Sequence, residues 1–325
     1  LPMAEGGIVC TPVSTSEATP PGAADPAVVT LVEDADGHER TVQGVQVRSF
    51  RLGKGQGPNV TTTQAGTGFV ATSVRAGFPM AARAVSAPDR VYAVMAFAAP
   101  AGSRWCDRDL ATDQMLFYGP EARHTAVHPV GVHWAFAAMD RNALSQTAEG
   151  MGLTPHLPGP GEIRAVPTGG SHPLRHVLAS IADPASGLVH DQGPELLRTT
   201  IETLRTDGKV ASCRRIDSGA LVLACLDYAE RAQRVPSIDE LCAATFVCRR
   251  KLWDVFDERF GMAPARFFRA WGLAQARARL RAADPTTTTV LEVANDLGFH
   301  HAGRFASRYT HTFGESPSQA LRTSN

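Results

Sequence analysis

Two pairs of arginines near the C-terminus have the type and spacing of residues that read DNA bases. Arg249 and Arg250 begin one predicted helix, and Arg304 and Arg308 lie one turn apart on another. A guanidinium can donate two hydrogen bonds to the O6 and N7 atoms of guanine, the commonest specific contact in the major groove. This pattern predicts recognition of DNA and involves no covalent chemistry.

Both helices are amphipathic, and the arginines lie on their polar sides. Apolar residues recur every three or four positions, as Leu252, Val255, Phe256 and Phe260 in the first helix and as Phe305, Tyr309 and Phe313 in the second. This periodicity buries one face and leaves the other outward. The residues predicted to contact DNA are Arg249, Arg250, Lys251, Trp253, Asp254, His301, Ala302, Gly303, Arg304, Ser307 and Arg308.

The elements that carry these residues occur twice in the chain. FGMAP at 260–264 and FGESP at 313–317 repeat glycine and proline at a spacing of 53 residues. Upstream, SIDE at 237–240 and TVLE at 289–292 place Ser or Thr three residues before Glu, which predicts a capping box at each helix start. Each unit is therefore a helix, a short break and a second helix with an exposed polar face, the helix-turn-helix arrangement.

A single helix is predicted between the two units, from 264 to 283. Pro264 suits its first turn, and Asp284-Pro285 ends it. Twenty residues span roughly 30 Å, close to the roughly 34 Å that separates successive major-groove faces. The alternative is a helical bundle with solvated charges. Duplication, capping boxes and the length of the connector together favour DNA binding.

This C-terminal third resembles the DNA-binding domain of the AraC/XylS family of bacterial transcription regulators. The matching segments are VCRRKL at 247–252, FGMAP at 260–264 and the run 297–317, and GFHHAGRFA at 298–306 looks most like the ethanolamine-operon regulator and its relatives. The resemblance implies a domain at 216–325 with helix-turn-helix units at about 237–260 and 289–312. It also implies promoter DNA and RNA polymerase as partners.

Two positions depart from the family pattern. Cys248 stands where the family usually has Ser at the start of the first recognition helix, and a thiol caps a helix less well. Trp253 and Asp254 stand where family members more often have polar or basic residues. The bases that the first unit prefers therefore cannot be inferred from those that other family members prefer.

Residues 27–170 have the pattern of an antiparallel β domain. Strands are predicted at 28–32, 41–50, 68–74, 91–97, 114–118 and 130–138, with turns of Gly, Pro and Asp between them. Such short strands indicate a barrel or sandwich, and the resemblance implies a cupin-like or related domain with a regulatory, sensing role. The fold class is α+β, with an N-terminal β domain that carries helices and an all-α double helix-turn-helix domain.

Helices are predicted again after the β domain, at 172–181, 194–206 and 218–233. We assign 171–215 to dimerisation and linkage, which predicts a homodimer. Residues 1–26, rich in Pro, Thr, Ala and Gly, are predicted to form a flexible leader.

The charge distribution, the cysteine spacing and the lack of long apolar runs narrow the possible classes of protein. The formal net charge is zero, but residues 236–325 hold 12 Lys and Arg against 9 Asp and Glu, so the positive excess lies where DNA contact is predicted. The six cysteines form no CxxC pair, which argues against a zinc finger or a disulfide framework. With no secretory signal and no apolar run of membrane length, the sequence predicts a cytoplasmic protein that does not enter membranes.

The β domain contains three histidines, His124, His128 and His133, whose spacing resembles a metal site only loosely. On a strand the first two share a face and the third takes the other, so structural histidines are favoured over metal ligands. The aromatic residues Trp105, Phe117, Tyr118 and Trp134 lie in the same half and suit either a ligand pocket or the core. Core positions are favoured.

These features predict a sequence-specific DNA-binding transcription regulator of the AraC/XylS type, controlled by a small-molecule effector in the N-terminal domain, with effector-binding residues unassigned. No catalytic residue, metal site or cofactor is predicted, and the protein is not expected to be an enzyme. The alternative is an effector-independent regulator whose N-terminal domain serves only dimerisation or protein–protein interaction.

Overall fold

A computed structural model describes residues 28–32, 36–42, 45–106, 108–168, 172–182, 192–205, 211–212 and 216–323. The predicted flexible leader at 1–26 lies outside these residues. The N-terminal part is built from antiparallel strands with three helices, and the C-terminal part is helical. This confirms the predicted α+β class.

The strands and helices follow one another in chain order. The strands are β1 (Val28–Val32), β2 (Asp36–Val42), β3 (Val45–Arg51), β4 (Asn59–Gly66), β5 (Phe69–Arg75), β6 (Met80–Val85), β7 (Arg90–Ala98), β8 (Arg104–Trp105), β9 (Arg108–Asp109), β10 (Gln114–Tyr118), β11 (Arg123–His128), β12 (His133–Asp140), β13 (Ile163–Pro167) and β14 (Ala211–Ser212). The helices are α1 (Arg141–Gly150), α2 (Pro173–Ala182), α3 (Gly193–Arg205), α4 (Ile216–Ala232), α5 (Ile238–Thr245), α6 (Arg249–Phe260), α7 (Pro264–Ala282), α8 (Val290–Asp296), α9 (Ala302–Phe313) and α10 (Pro317–Arg322). None of the described helices has the length and apolar character needed to cross a membrane.

The strands form two sheets. Sheet A has the order β1-β4-β5-β12-β7-β10-β13-β14, and sheet B has the order β2-β3-β6-β11-β8-β9. One face of sheet A packs on helices α1, α2 and α3 through a core that includes Met139, Leu144, Leu174 and Ile201. The other face packs toward sheet B. Alternate residues of each strand therefore enter different cores.

Several strands differ from the prediction. The predicted strand 41–50 is two strands, β2 and β3, which pair with each other. Strands β4, β6 and β11 were not predicted at all. The sequences of β4 and β6 are rich in Thr and Ala, so their alternation of buried and exposed positions is faint in the sequence. Strand β14 pairs with β13 in a region predicted to be helical.

The C-terminal helices form two small cores that share α7. Its first half contributes Phe267, Phe268 and Trp271 to the core with α4, α5 and α6. Its second half contributes Leu273 and Leu280 to the core with α8, α9 and α10. This arrangement follows from the 3.6-residue period, because apolar residues on a 19-residue helix, about 28 Å long, can face two neighbours in turn.

The duplicated FGMAP and FGESP segments have a structural explanation. Gly261 and Gly314 end α6 and α9 with φ values of 59° and 78°, the left-handed conformation that glycine adopts at little cost. Pro264 and Pro317 then occupy the first turn of α7 and α10, where a missing N–H is tolerated. Each segment is thus a helix stop followed by a helix start.

The two predicted capping boxes are confirmed. Ser237 and Glu240 bond each other's backbone N–H groups at the start of α5, and Thr289 and Glu292 do so at the start of α8. Cys248 precedes α6 without a side-chain cap, as expected for a thiol.

Candidate DNA-binding face and interior cavity

The second helix of each unit, α6 and α9, has the buried and exposed faces that the periodicity predicts. Leu252, Phe256, Phe305 and Tyr309 are at most 1% exposed. All eleven residues predicted to contact DNA are solvent-exposed, including the departures Trp253 and Asp254. The exposed surfaces of both helices are therefore open to a macromolecular partner.

Arg249 and Arg250 differ in their surroundings although they are neighbours. Arg249 Nη2 and Nε lie 2.5 and 3.0 Å from Oδ1 of Asp239 on α5. Both partners are exposed, so this pair adds little stability. Arg250 forms no ion pair within the described residues and has a solvent-exposed side chain. The geometry thus leaves Arg250 more available than Arg249 for a base edge.

A basic groove connects the two units. It has a volume of about 430 Å³ and is lined by α9, by the start of α5 and by α7. Its positively charged or titratable side chains are Arg269, His300, His301, Arg304 and Arg308. Burial, with a smaller contribution from nearby Arg308, lowers the pKa of the Arg269 guanidinium. Such a groove has the charge and shape to hold a phosphate backbone.

Arg269 is a candidate that the sequence analysis missed. It lies on α7, which was treated as a spacer between the units. Its Nε donates to the carbonyl oxygen of Ala265, 2.9 Å away, which orients the side chain along the helix. The available signal was that α7 carries five arginines among its apolar residues, more than a plain spacer needs.

The second candidate site is a cavity of about 190 Å³ between sheets A and B. Apolar and aromatic side chains form most of its wall. In the described part of the chain its lining residues are Val45, Val47, Ser49, Asn59, Thr61, Thr72, Val74, Met80, Ala82, Ala84, Ser86, Tyr92, Val94, Trp105, Tyr118, His124, Ala126, His128, Trp134 and Phe136. None of these side chains is an acid, a lysine or an arginine. The cavity is thus the kind of concave, largely apolar site that binds small molecules.

The four aromatic residues favoured as core separate into two groups. Phe117 is fully buried beneath the helices on the outer face of sheet A. Trp105, Tyr118 and Trp134 are on the opposite side and line the cavity. The ring centroids of Trp105 and Trp134 are 4.9 Å apart at an interplanar angle of 83°. Trp105 and Tyr118 are buried and Trp134 is partly buried, and all three side chains are available to a ligand in the cavity.

Two of the three histidines face this cavity. His124 and His128 share one face of β11, as their spacing predicts. Burial lowers the pKa of His124 to about 3, with a contribution from His128, and that of His128 to about 4. Both imidazoles are therefore neutral near pH 7. The Nδ1 atoms of both rings and the Nε1 of Trp105 are buried without a hydrogen-bond partner in the described structure.

His133 takes the other direction. It lies on β12 of sheet A, where its Nε2 is 2.9 Å from the hydroxyl of Ser73. Its ring lies 4.8 Å from that of Phe97. The three histidines therefore do not converge, and the described residues contain no group of three His, Cys, Asp or Glu side chains that could hold a metal ion.

Sheet B separates the cavity from the C-terminal helices. On β3, Val47 and Ser49 face the cavity, whereas Arg48 and Phe50 face the helices. The same alternation occurs on β6, where Ala82 and Ala84 line the cavity and Ala81 and Arg83 face outward. On β11, Ala126 and His128 line the cavity and Val127 packs toward the helices. The strands of sheet B thus contact the cavity on one face and the C-terminal helices on the other.

Apolar and ionic contacts hold the helices against sheet B. The rings of Phe50 and Phe267 meet edge to face, with centroids 5.1 Å apart. Arg48 Nη1 lies 2.6 Å from Oε1 of Glu230, and Arg83 Nη1 lies 2.5 Å from Oδ1 of Asp227. The acids are on α4, which leads into the first helix-turn-helix unit.

Two further arginines of the N-terminal part contact the C-terminal ends of α9 and α6. Arg51 Nη1 donates to the carbonyl oxygen of Thr312 on α9, and Arg104 Nη1 donates to the carbonyl oxygen of Glu258 on α6. The last carbonyls of a helix lack partners within it and carry partial negative charge, which a cation stabilises. Both α6 and α9 are therefore capped by an arginine from the sheet domain.

The C-terminal segment of the chain is similar to known proteins. A helix-turn-helix domain family matches residues 241–323. XylDLEGF operon transcriptional activator 1 of Pseudomonas putida is 38% identical over 93 residues, which cover 29% of this chain and 28% of that protein. A probable thc operon regulatory protein of Rhodococcus erythropolis is 38% identical over 104 residues, 32% of this chain and 31% of that protein. The matched segment thus spans about three tenths of the length of these curated relatives.

A solved structure also matches about a third of this chain. The crystal structure of a probable AraC family transcriptional regulator from Rhodopseudomonas palustris CGA009 is 31% identical, and the alignment covers 33% of this chain and 99% of that one, with a TM-score of 0.30. The relatives named here are transcription regulators, and none is described as an enzyme.

Proposed function

We propose that the whole chain is a transcription regulator of the AraC/XylS type controlled by a small molecule, because a helix-turn-helix domain family matches residues 241–323 and the similar curated proteins are operon regulators. The molecule binds in the cavity between sheets A and B. Its presence changes how α6 and α9 sit on promoter DNA. The observation that carries this proposal is the alternation of residues on β3, β6 and β11 between the cavity and the helices.

On the DNA side, we propose that the exposed faces of α6 and α9 enter the major groove. In the first unit, Arg250 reads a base. In the second unit, the small residues Ala302 and Gly303 allow the backbone of α9 to approach the DNA closely, and the long side chains of Arg304 and Arg308 extend from the helix to contact it. The other residues predicted at this interface are Arg249, Lys251, Trp253, Asp254, His301 and Ser307. Arg269 extends the set as a phosphate contact, supported by its place in the basic groove.

On the effector side, the proposal rests on strand geometry. A ligand that displaces Val47 or Ala82 moves the same backbone that carries Phe50 and Arg83 to the helices, because successive side chains of a strand lie on opposite faces. Strand β8 has the same property, because the indole of Trp105 lines the cavity while the guanidinium of the neighbouring Arg104 caps α6. A ligand that binds one arrangement better than another shifts the population toward it.

The DNA half is tested by selecting bound sequences from a random DNA pool with the full chain. We expect a site with two elements, one for each recognition helix. Recovery of no preferred sequence would contradict the proposal.

The effector half is tested with the selected site and a cavity-filling variant, Ala82→Leu. A leucine at this position occupies cavity volume and presses on β6, so the affinity for the site is expected to change at least fivefold. Ala101→Leu makes the same chemical change at an exposed turn and is the matched control. Equal affinities for the wild type and both variants would favour the effector-independent alternative, in which the N-terminal domain serves dimerisation or protein–protein interaction.

We also propose a second copy of the chain and RNA polymerase as partners. The support for a homodimer is the helical region 171–215, which the sequence assigns to dimerisation. Sedimentation at micromolar concentration tests it, and a monomer mass would contradict it. Transcription in vitro from a promoter that contains the selected site tests the effect on polymerase.

A further inference from the structure

Resting on the proposed effector site, we propose that the ligand of the cavity is an uncharged, compact aromatic molecule that carries both a hydrogen-bond donor and an acceptor. His124, His128 and Trp105 are the residues that recognise its polar group. The remaining wall holds its ring.

The size and lining of the cavity define the ring. An apolar cavity of about 150 Å³ holds a benzene molecule, so about 190 Å³ suits one substituted ring. Trp105 and Trp134 meet at nearly a right angle, and Trp134 and Phe136 stack with centroids 5.7 Å apart. Faces and edges of aromatic side chains are therefore both presented to the interior, which favours an aromatic guest.

The polar anchor is defined by buried atoms without partners. Nδ1 of His124, Nδ1 of His128 and Nε1 of Trp105 are buried, and the residues His128 and Trp105 are only 2% and 4% exposed. Buried polar groups are nearly always hydrogen-bonded, and these three atoms belong to residues that line one cavity, so they are the nearest candidates to bond a polar group of a ligand there. A neutral imidazole offers one donor and one acceptor nitrogen, and an indole offers only a donor. The complementary group is an amide or a hydroxyl.

The absence of charge among the described lining residues defines the third property. A carboxylate that enters this cavity loses its hydration and meets no lysine or arginine among the described residues, and both histidines are neutral at pH 7. Burial of an unpaired charge is strongly unfavourable. An amide of the same shape avoids this cost.

The test uses two probes of nearly equal shape, benzamide and benzoate, with the full chain at pH 7. Calorimetric titration and quenching of tryptophan fluorescence measure binding without DNA. We expect benzamide to bind at least tenfold more tightly than benzoate. Equal binding, tighter binding of benzoate, or no binding of benzamide at millimolar concentration would each overturn the ligand class.

Variants locate the site. His128→Leu and His124→Leu are each expected to weaken benzamide binding at least fivefold, while His128→Gln, which keeps a donor and an acceptor, retains more of it. His133→Leu removes the histidine that faces away from the cavity and is the control. Melting temperatures identify any variant that does not fold. If a leucine variant does not fold, the benzamide affinity of His128→Gln tests the role of the histidine instead. Unchanged affinity in folded His128→Leu and His124→Leu would contradict the assignment of the anchor.

Different measurements would contradict the proposed ligand class and the proposed regulatory function. If benzamide binds as expected and the affinity for the selected DNA site stays the same, the ligand class stands and effector control by this molecule is contradicted. If Ala82→Leu alters the affinity for DNA but benzamide does not bind, the coupling stands and the ligand class is wrong.

Discussion

Arg51 Nη1 lies 3.2 Å from the carbonyl oxygen of Thr312, although 261 residues separate the two in the sequence. The arginine belongs to β3, at the end of a strand of sheet B, and the carbonyl belongs to the last turn of α9. The Arg51 guanidinium also lies 3.9 Å from the centroid of the Phe78 ring, and the residue is only 9% exposed. This contact fixes one end of α9 to the domain that holds the cavity.

We expect Arg51→Leu to uncouple the cavity from the DNA-binding helices. The leucine keeps an apolar side chain beside Phe78 but removes the charged donor to α9, and a hydrogen bond to a charged group contributes roughly 1.5 to 3 kcal/mol. The fivefold effect of Ala82→Leu on DNA affinity should therefore shrink to less than twofold in the double variant.

The measurement is a double-mutant cycle on DNA affinity, with Arg75→Leu as the control because Arg75 is an exposed arginine at the end of β5. An undiminished effect of Ala82→Leu in the Arg51→Leu background would show that the coupling does not pass through this contact.

Arg250→Ala is expected to relax the preference at one base position. The exposed guanidinium of Arg250 has no ion pair in the described structure, and a bidentate contact to guanine contributes roughly 1 to 3 kcal/mol of discrimination. Arg249→Ala is the comparison variant, because Arg249 is engaged with Asp239 and is expected to weaken binding evenly across sequences. Sequence selection with each variant decides, and an unchanged preference of Arg250→Ala at every position would reject its role.

Arg304→Ala and Arg308→Ala are each expected to lower DNA affinity without lowering the melting temperature. Both side chains are exposed, opposite the buried Phe305 and Tyr309. A drop of several degrees in either variant would indicate a structural role, and Thr310→Ala, at an exposed position of the same helix, is the control.

The C-terminal half was predictable because its signals are local. The capping boxes at 237–240 and 289–292, the glycine stops and the three- and four-residue spacing of apolar positions each act within a few residues. The predicted connector 264–283 is observed as 264–282 for the same reason. Exposure of Arg250 and Arg304 followed directly from burial of their neighbours.

The cavity and the contact between the two parts depend on distant pairings that no local signal specifies. His124 and Trp134 become neighbours in one cavity only because β11 and β12, consecutive in sequence, join different sheets. Short, alanine-rich strands such as β6 show little alternation in sequence, although Ala81 and Ala82 face different sites. The caps by Arg51 and Arg104 join residues 261 and 154 positions apart.

Stability of the N-terminal domain is expected to fall as the pH drops from about 6.5 toward 4. Burial lowers the folded-state pKa of His124 to about 3 and of His128 to about 4, whereas an unfolded histidine titrates near 6.5. Below pH 6.5 the unfolded chain takes up protons that the folded chain does not, so the free energy of unfolding falls as the pH falls. Each histidine contributes roughly 1 kcal/mol per pH unit to this slope until its folded-state pKa is reached.

Urea denaturation at pH 7.5 and at pH 5, followed by tryptophan fluorescence, measures the slope. The double variant His124→Gln and His128→Gln should lose less stability than the wild type over this interval, because glutamine does not titrate. Replacement of the exposed His300 and His301 by glutamine is the matched control, because both residues lie outside the cavity. An equal loss of stability in the wild type and in the His124→Gln, His128→Gln variant would show that these imidazoles do not stay neutral inside the folded cavity.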